Sequence, residues 1–230
     1  MDTQLINELK ERYGIVFQDV TLLEQAFTHS SYVNEHRNMQ LSDNERLEFL
    51  GDAVLELQVS HYLYRQYPDV PEGKLTKLRS AIVREDSLAK FAKKCHFDQY
   101  VLLGKGEENS GGRNRASLLC DLFESFLGAL YLDQGYEAAL KFIQAVIFPR
   151  IEAGEFTREI DHKTRLQEVL QKSGDVTIDY RLVSEEGPAH ERTFTIEVYV
   201  DDRLIGSGKG KSKKLAEQDA AAKALAALKA

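Results

Sequence analysis

The chain has 230 residues, 43% of them hydrophobic and 29% charged, with a formal net charge of −7. That length holds one or two globular domains, and no apolar run approaches the ~18 residues of a membrane span, so no membrane is expected. The acidic total argues against a uniformly basic nucleic-acid binder. Its distribution matters more: residues 161–230 hold 12 Lys+Arg and 12 Asp+Glu, so the remaining 18 and 25 give residues 1–160 the whole excess. Any contact with a polyanion must rest on local patches, and on metals that offset the acidic part. Cys95 and Cys120 lack metal-site spacing, and MDTQLINELKER has no apolar signal core. A reduced, cytoplasmic chain is expected.

Taken in order, Leu5, Leu9 and Tyr13 follow helical spacing up to Gly14, and a second helix is predicted from Leu22, Leu23 and Phe27. His29, in Thr28-His29-Ser30-Ser31-Tyr32, reads as a hydrogen-bonded structural histidine. Ser42, Asp43 and Asn44 are capping residues for a helix that opens as NERLEFLGDAVLEL and runs on to Tyr64. With Glu45 at 0° on a helical wheel, Glu48 and Asp52 share an arc of about 60° with it, while Leu47, Leu50, Val54 and Leu57 fall between about 120° and 200°. Carboxylates so placed repel by tenths of a kcal/mol per pair. A divalent cation reverses the sign, and Mg²⁺ takes a few carboxylate oxygens plus water. A solvated acidic face is the plain alternative. Phe49 falls at about 40°, beside the acids and away from the apolar side. An exposed phenylalanine there points to a dimer contact, with packing against a neighbouring loop as the alternative.

Pro68 and Pro71 break the chain, and Glu72 opens a helix carrying Leu75, Leu78, Ile82 and Val83. Residues 104–115, GKGEENSGGRNR, read as a loop without the order of a phosphate-binding P-loop. Arg113 and Arg115 there either touch the phosphates of a polyanion or belong to a merely flexible loop. Ser117 to Asp133 is a second amphipathic helix. Asp121 and Glu124 share one face, and Leu119, Leu122, Phe123, Phe126 and Leu130 fill the other. If the two acidic helices pack together, Glu48, Asp52, Asp121 and Glu124 converge on one or two metals. A further helix is predicted from Tyr136 to Ile151, ending around Pro149, and residues 152–160 read as a linker. Residues 1–151 are therefore expected to be all-helical.

The tail changes period. Lys163 to Lys172 is helical with Leu166, Val169 and Leu170 inward. Val176, Ile178, Tyr180 and Leu182 then alternate, as do Phe194, Ile196, Val198 and Val200. Asp201-Asp202 is a turn signal, Arg203 to Gly208 a short third strand, and Ser212 to Leu228 an alanine-rich helix. The order is α-β-β-β-α over residues 161–230. Lys209, Lys211, Lys213 and Lys214 cluster without an acid at the start of the last helix, where they oppose the helix dipole unless an anion is bound.

NERLEFLGDAVL resembles the signature stretch of the ribonuclease III family, and CDLFESFLGALYLD resembles its second acidic helix; the one departure is Cys120, where the family commonly has a small apolar residue. The tail is similar to a double-stranded RNA-binding domain through Thr164-Arg165-Leu166-Gln167-Glu168, Gly187-Pro188-Ala189-His190 and Gly210-Lys211-Ser212-Lys213-Lys214. The resemblance implies an all-α endonuclease domain (1–151), a linker (152–160) and a small α+β RNA-binding domain (161–230). It implies hydrolysis of duplex RNA to 5′-phosphate ends by a homodimer, with Phe49 in the subunit interface. Roles in maturing ribosomal RNA precursors and some messenger and transfer RNAs are implied as well. Glu48, Asp52, Asp121 and Glu124 would hold Mg²⁺, with Mn²⁺ as a substitute, and Asp52 and Glu124 would be catalytic. A two-metal arrangement would activate the attacking water and stabilise the leaving 3′ oxygen. Glu72 resembles a family acid near the active site. Thr164, Gln167, His190, Lys211, Lys213 and Lys214 would bind the RNA, whose A-form shape such domains read over ~16 bp. The rival from another class is a catalytically silent RNA-binding regulator, which the presence of all four acids disfavours.

Overall fold

The computed structural model describes residues 2–156, 162–171, 176–188 and 192–228. It divides into two compact units, Met1–Glu152 and Ala153–Ala230.

The first unit is helical. α1 (Thr3–Tyr13) is capped by the Asp2 carboxylate and stopped by Gly14 in the left-handed region. α2 (Val20–Ala26) is followed by α3 (Ser30–Glu35), a helix beyond the two predicted for this stretch. His29 is its N-cap: Nδ1 accepts from the Ser31 amide at 3.2 Å. α4 (Glu45–Gln66) starts as predicted, but Asn44 gives no capping bond. Asp43 accepts from the Glu45 amide instead, and the buried Asn44 amide donates to the Ala26 carbonyl. α5 (Glu72–Val83) opens after Pro71, and α6 (Glu85–Lys94) adds an amphipathic helix to the predicted set.

Residues 104–115 are not a simple loop. They form α7 (Lys105–Asn109) and a 3₁₀ turn, Gly112–Asn114. Arg113 is held by Glu108 and by the Asp98 carbonyl, and Arg115 pairs with Glu107. These internal partners order the segment, which is therefore not the free loop expected. α8 (Ala116–Gln134) leads to α9 (Tyr136–Val146) and α10 (Phe148–Glu152). The single helix expected over 136–151 is thus interrupted at Ile147. Pro149 does not end it but sits in the first turn of α10, where its missing N–H costs nothing.

The core of this unit is built on α8. Leu119, Leu122, Phe123, Phe126 and Leu130 are fully buried as predicted, and Leu127 and Ala129 join them. Phe97, Phe123, Phe126 and Phe142 stack into one aromatic cluster, with Phe97 and Phe126 ring centres 4.7 Å apart. The buried side of α4 is Leu47, Gly51, Val54, Leu55, Gln58, Val59 and Leu63. Leu57, expected inward, is 60% exposed, and Leu50 is only partly covered. The burial stripe is rotated because α4 presents Gly51, and not its leucine side, to α8.

In the second unit, α11 (His162–Gln171) is followed by β1 (Ile178–Glu186), β2 (Thr193–Val200), β3 (Arg203–Gly210) and α12 (Lys213–Ala227). The sheet is antiparallel in the order β1-β2-β3, with Tyr180 paired to Val198 and Val198 to Gly206. Asp201 and Asp202 both have positive φ, the backbone of a two-residue hairpin turn. Leu166, Val198, Ala220, Ala221, Ala224 and Leu225 form the core. Val169, expected inward, is 37% exposed, since the alanine face of α12 meets α11 through Leu166 and Leu170. Leu182 is also exposed: a bulge between Leu182 and Ser184 breaks the alternation there.

Candidate metal centre and RNA-binding surface

α4 and α8 touch backbone to backbone. A Cβ added to Gly51 would overlap the Glu124 carbonyl oxygen, and one added to Gly128 would overlap the Leu47 carbonyl. That contact sets the distance and rotation between the two acidic helices. Glu48 and Asp52 bracket Gly51 on α4, while Asp121 and Glu124 lie one to two turns before Gly128 on α8. Asp52 is at the exposed rim, Glu48 and Asp121 are half-buried, and Glu124 is only 8% exposed.

The acids act on one another. Burial first, then Asp52, Asp121 and Glu48, push the Glu124 carboxyl up to about 8. Glu48 is raised by burial and by Asp121, Glu45 and Asp52. Asp121 is raised by burial, with His29 pulling it back and Glu85 adding to the rise. Among the described residues none of the four carboxylates forms an ion pair. Such a set fits a divalent cation by its donor chemistry: oxygen ligands, excess negative charge, and no competing Lys or Arg. Ligand atoms of Asp121, Glu124 and Cys120 lie within 4.8 Å of one another. Cys120 was not among the expected site residues. Its helical position, four before Glu124, was the available signal. The glycine pair was likewise unassigned, although Gly51 directly precedes Asp52.

Glu72 accepts from the Thr76 hydroxyl at 2.7 Å in the exposed first turn of α5. Phe49 is 81% exposed. It shares one side of α4 with Leu57 and Tyr64, both also exposed. On the second unit, Lys209, Lys211, Lys213 and Lys214 are exposed, and none forms an ion pair among the described residues. Ser212 caps α12 by accepting from the Leu215 amide at 3.2 Å. Gln167 is exposed on α11. Of the other expected RNA contacts, the Thr164 side chain and the whole of His190 lie outside the described residues. No helix among the described residues is long and apolar enough to cross a membrane.

The comparisons agree with both units. Residues 19–151 match the family described as ribonuclease-III-like, and residues 162–228 match the double-stranded RNA binding motif. Ribonuclease 3 of Enterococcus faecalis is 76% identical over 225 residues, covering 98% of each chain. Ribonuclease 3 of Latilactobacillus sakei is 61% identical over the full length of both chains. Among solved structures, the ribonuclease III nuclease domain of Campylobacter jejuni matches with a TM-score of 0.57 and 39% identity, over 63% of this chain and 99% of its own. That domain contains a structurally flexible region involved in dimer formation.

Proposed function

The chain belongs to the ribonuclease III family and is a metal-dependent endoribonuclease specific for double-stranded RNA, and from that premise we propose that Glu48, Asp52, Asp121 and Glu124 hold Mg²⁺, with Mn²⁺ as a substitute. The observation that carries this assignment is that four acids stand on two helices whose backbones touch, with Glu124 pushed up to about 8 by burial and by Asp52, Asp121 and Glu48, and with no Lys or Arg paired to any of the four among the described residues. A divalent cation bound there supplies a Lewis acid for the phosphodiester oxygens and a water of lowered pKa. The chain's own part is to hold the ligand oxygens on two helices locked at Gly51 and Gly128. Before a cation binds, Glu124 keeps its proton at neutral pH, and that proton must leave for the carboxylate to act as a ligand. Asp52 and Glu124 are the pair on which cleavage depends most.

Residues 1–151 then form the nuclease domain, 152–160 the linker and 161–230 the RNA-binding domain. Lys211, Lys213 and Lys214 neutralise RNA phosphates, while Thr164, Gln167 and His190 reach the minor groove. The protein works in the cytoplasm as a homodimer, with Phe49 in the subunit contact. It leaves 5′-phosphate ends and matures ribosomal RNA precursors and some messenger and transfer RNAs. The Phe49 assignment is supported by the exposed apolar side of α4, which a monomer leaves in water.

Glu124→Gln tests the metal site. The amide keeps the shape and removes a charge and a ligand oxygen. Cleavage of long duplex RNA in Mg²⁺ should fall on the order of 10³-fold or more, since the metal is worth several kcal/mol in the transition state. Gel shift with the same duplex should be unchanged. Near-parental turnover would remove Glu124 from the metal site.

A further inference from the structure

We propose that Lys163 is a positioning residue for RNA binding: it holds the Glu217 carboxylate and so keeps that negative charge from pairing with Lys213 and Lys214, the lysines that meet the phosphates. The inference rests on reading those lysines as phosphate contacts and adds a residue that the reading does not use. α12 carries two acids, Glu217 and Asp219. Glu217 stands four residues after Lys213 and three after Lys214. Both spacings put side chains on one helical face, about 5–6 Å apart. By sequence alone either lysine is its natural partner. The structure pairs it elsewhere: Lys163 Nζ, at the start of α11, donates to Glu217 Oε2 at 2.7 Å. The same ammonium sits 4.3 Å from the centre of the Tyr180 ring, on β1. Tyr180 packs against the core of the unit, so the cation that holds Glu217 is itself held.

The second acid of α12 is treated in the same way. Asp219 Oδ2 accepts from the Lys209 amide at 2.8 Å, which places it beside the lysine cluster, and Lys223 donates to the same oxygen at 2.8 Å. Both acids are thus matched to lysines outside the cluster. Lys209, Lys211, Lys213 and Lys214 are left without an ion pair among the described residues. Stability does not account for the arrangement. The Lys163 and Glu217 side chains are 36% and 28% exposed, and pairs so open to water add little to a fold. What the Lys163 pair does change is where a negative charge stands. Released from Lys163, Glu217 would neutralise Lys213 or Lys214, or face the same phosphate as they do. One unit charge at about 6 Å in water changes a binding constant roughly threefold.

The test is a double-mutant cycle in the full chain, read by filter binding to one long RNA duplex in EDTA, so that no cleavage intervenes. Lys163→Met, which removes the charge and keeps an apolar stem over Tyr180, should weaken binding at least about threefold. Lys163→Arg, which keeps the charge and stacks on an aromatic ring, should bind as the parent does. Glu217→Gln should bind no more weakly than the parent. Lys163→Met with Glu217→Gln should return to the parental affinity within about twofold, the margin of such cycles, and to the parental slope of log K against log salt. If Lys163 touches a phosphate itself, the double variant stays as weak as Lys163→Met, and its slope stays flatter by ~0.7–0.9. If Lys163→Met only loosens the fold, removing the Glu217 charge restores nothing. Either result overturns the proposal. Parental binding by Lys163→Met overturns it too, while a weakened chain carrying Lys213→Ala with Lys214→Ala leaves the phosphate reading of the lysines standing. Parental affinity and slope in that last chain overturn the phosphate reading and this inference with it.

Discussion

The two units hold like charge in opposite ways. In the first, four acids are carried on helices whose backbones touch, and one of them, Glu124, is buried. In the second, four lysines are exposed from the end of β3 to the start of α12. Burial first, and then the neighbouring Asp52, Asp121 and Glu48, move the Glu124 carboxyl up to about 8. Exposure lets water and salt screen the lysines, so each contributes little until a polyanion arrives. The acidic site should therefore respond to packing, pH and metal, and the basic one to ionic strength.

The largest effect should come from breaking the packing. A methyl group at Gly51 meets the Glu124 carbonyl and the Gly128 amide, which are backbone atoms and cannot rotate away. Gly51→Ala should destabilise the nuclease unit by at least about 3 kcal/mol, the upper part of the range for overpacking. It should also lower cleavage by separating the acids on α4 from those on α8. Urea unfolding of the parent and the variant measures the first effect. Parental stability would mean that the helices are free to part and do not fix the site.

A smaller effect sharpens the electrostatic side of the comparison. The Glu124 carboxyl is raised from 4.5 to about 8 on folding, and Glu48 and Asp121 are raised too. A raised carboxyl stabilises the fold fully below its unfolded pKa, and that stability is lost as pH rises through the folded value. In EDTA, thermal stability should thus fall between pH 5 and pH 8. About 2 kcal/mol is expected between pH 5 and 7 from the Glu124 shift, at 1.36 kcal/mol per pKa unit with some loss to relaxation. Carboxylates such as Glu8 and Asp133, which are lowered, act below this window and do not mask it. Glu124→Gln should flatten the profile, and Mg²⁺ should raise the melting temperature more at pH 8 than at pH 5. Parallel profiles for parent and variant would show that Glu124 titrates normally.

Much of this was legible in the residues, and the misses have physical causes. Both acidic helices show their carboxylates at helical spacing, and the strands of the second unit show their alternation. The wheel for α4 nevertheless placed Leu57 inward. A wheel weights large apolar side chains and treats Gly51 as blank, yet backbone contact at Gly51 sets the rotation of the helix. The segment 104–115 looked like a loop because it is rich in glycine and polar residues; its order comes from Arg113 with Glu108 and Arg115 with Glu107, pairings that spacing does not announce. The proximity of Cys120 to Glu124 follows from one helical turn.

The smallest effect, and the one that tests the other half of the comparison, lies in the lysines. Lys213 and Lys214 open α12 on the exposed side of the RNA-binding unit, next to the Ser212 cap. If each neutralises one phosphate, Lys213→Ala with Lys214→Ala releases two fewer counterions on binding. The slope of log K against log salt should then flatten by about 1.4–1.8, taking ~0.7–0.9 per contact from single-strand and B-DNA slopes. Phosphate contacts carry no sequence information, so unrelated duplexes should be weakened by the same factor. The acids and the packing that holds them are untouched. At saturating RNA and fixed Mg²⁺, the variant should therefore cleave at the parental rate, with the whole loss confined to KM. Filter binding across a salt series, with single-turnover cleavage at high enzyme, separates the two quantities. An unchanged slope would make these lysines a solvated face, and a fall in the saturated rate would show that the basic patch also serves the chemistry.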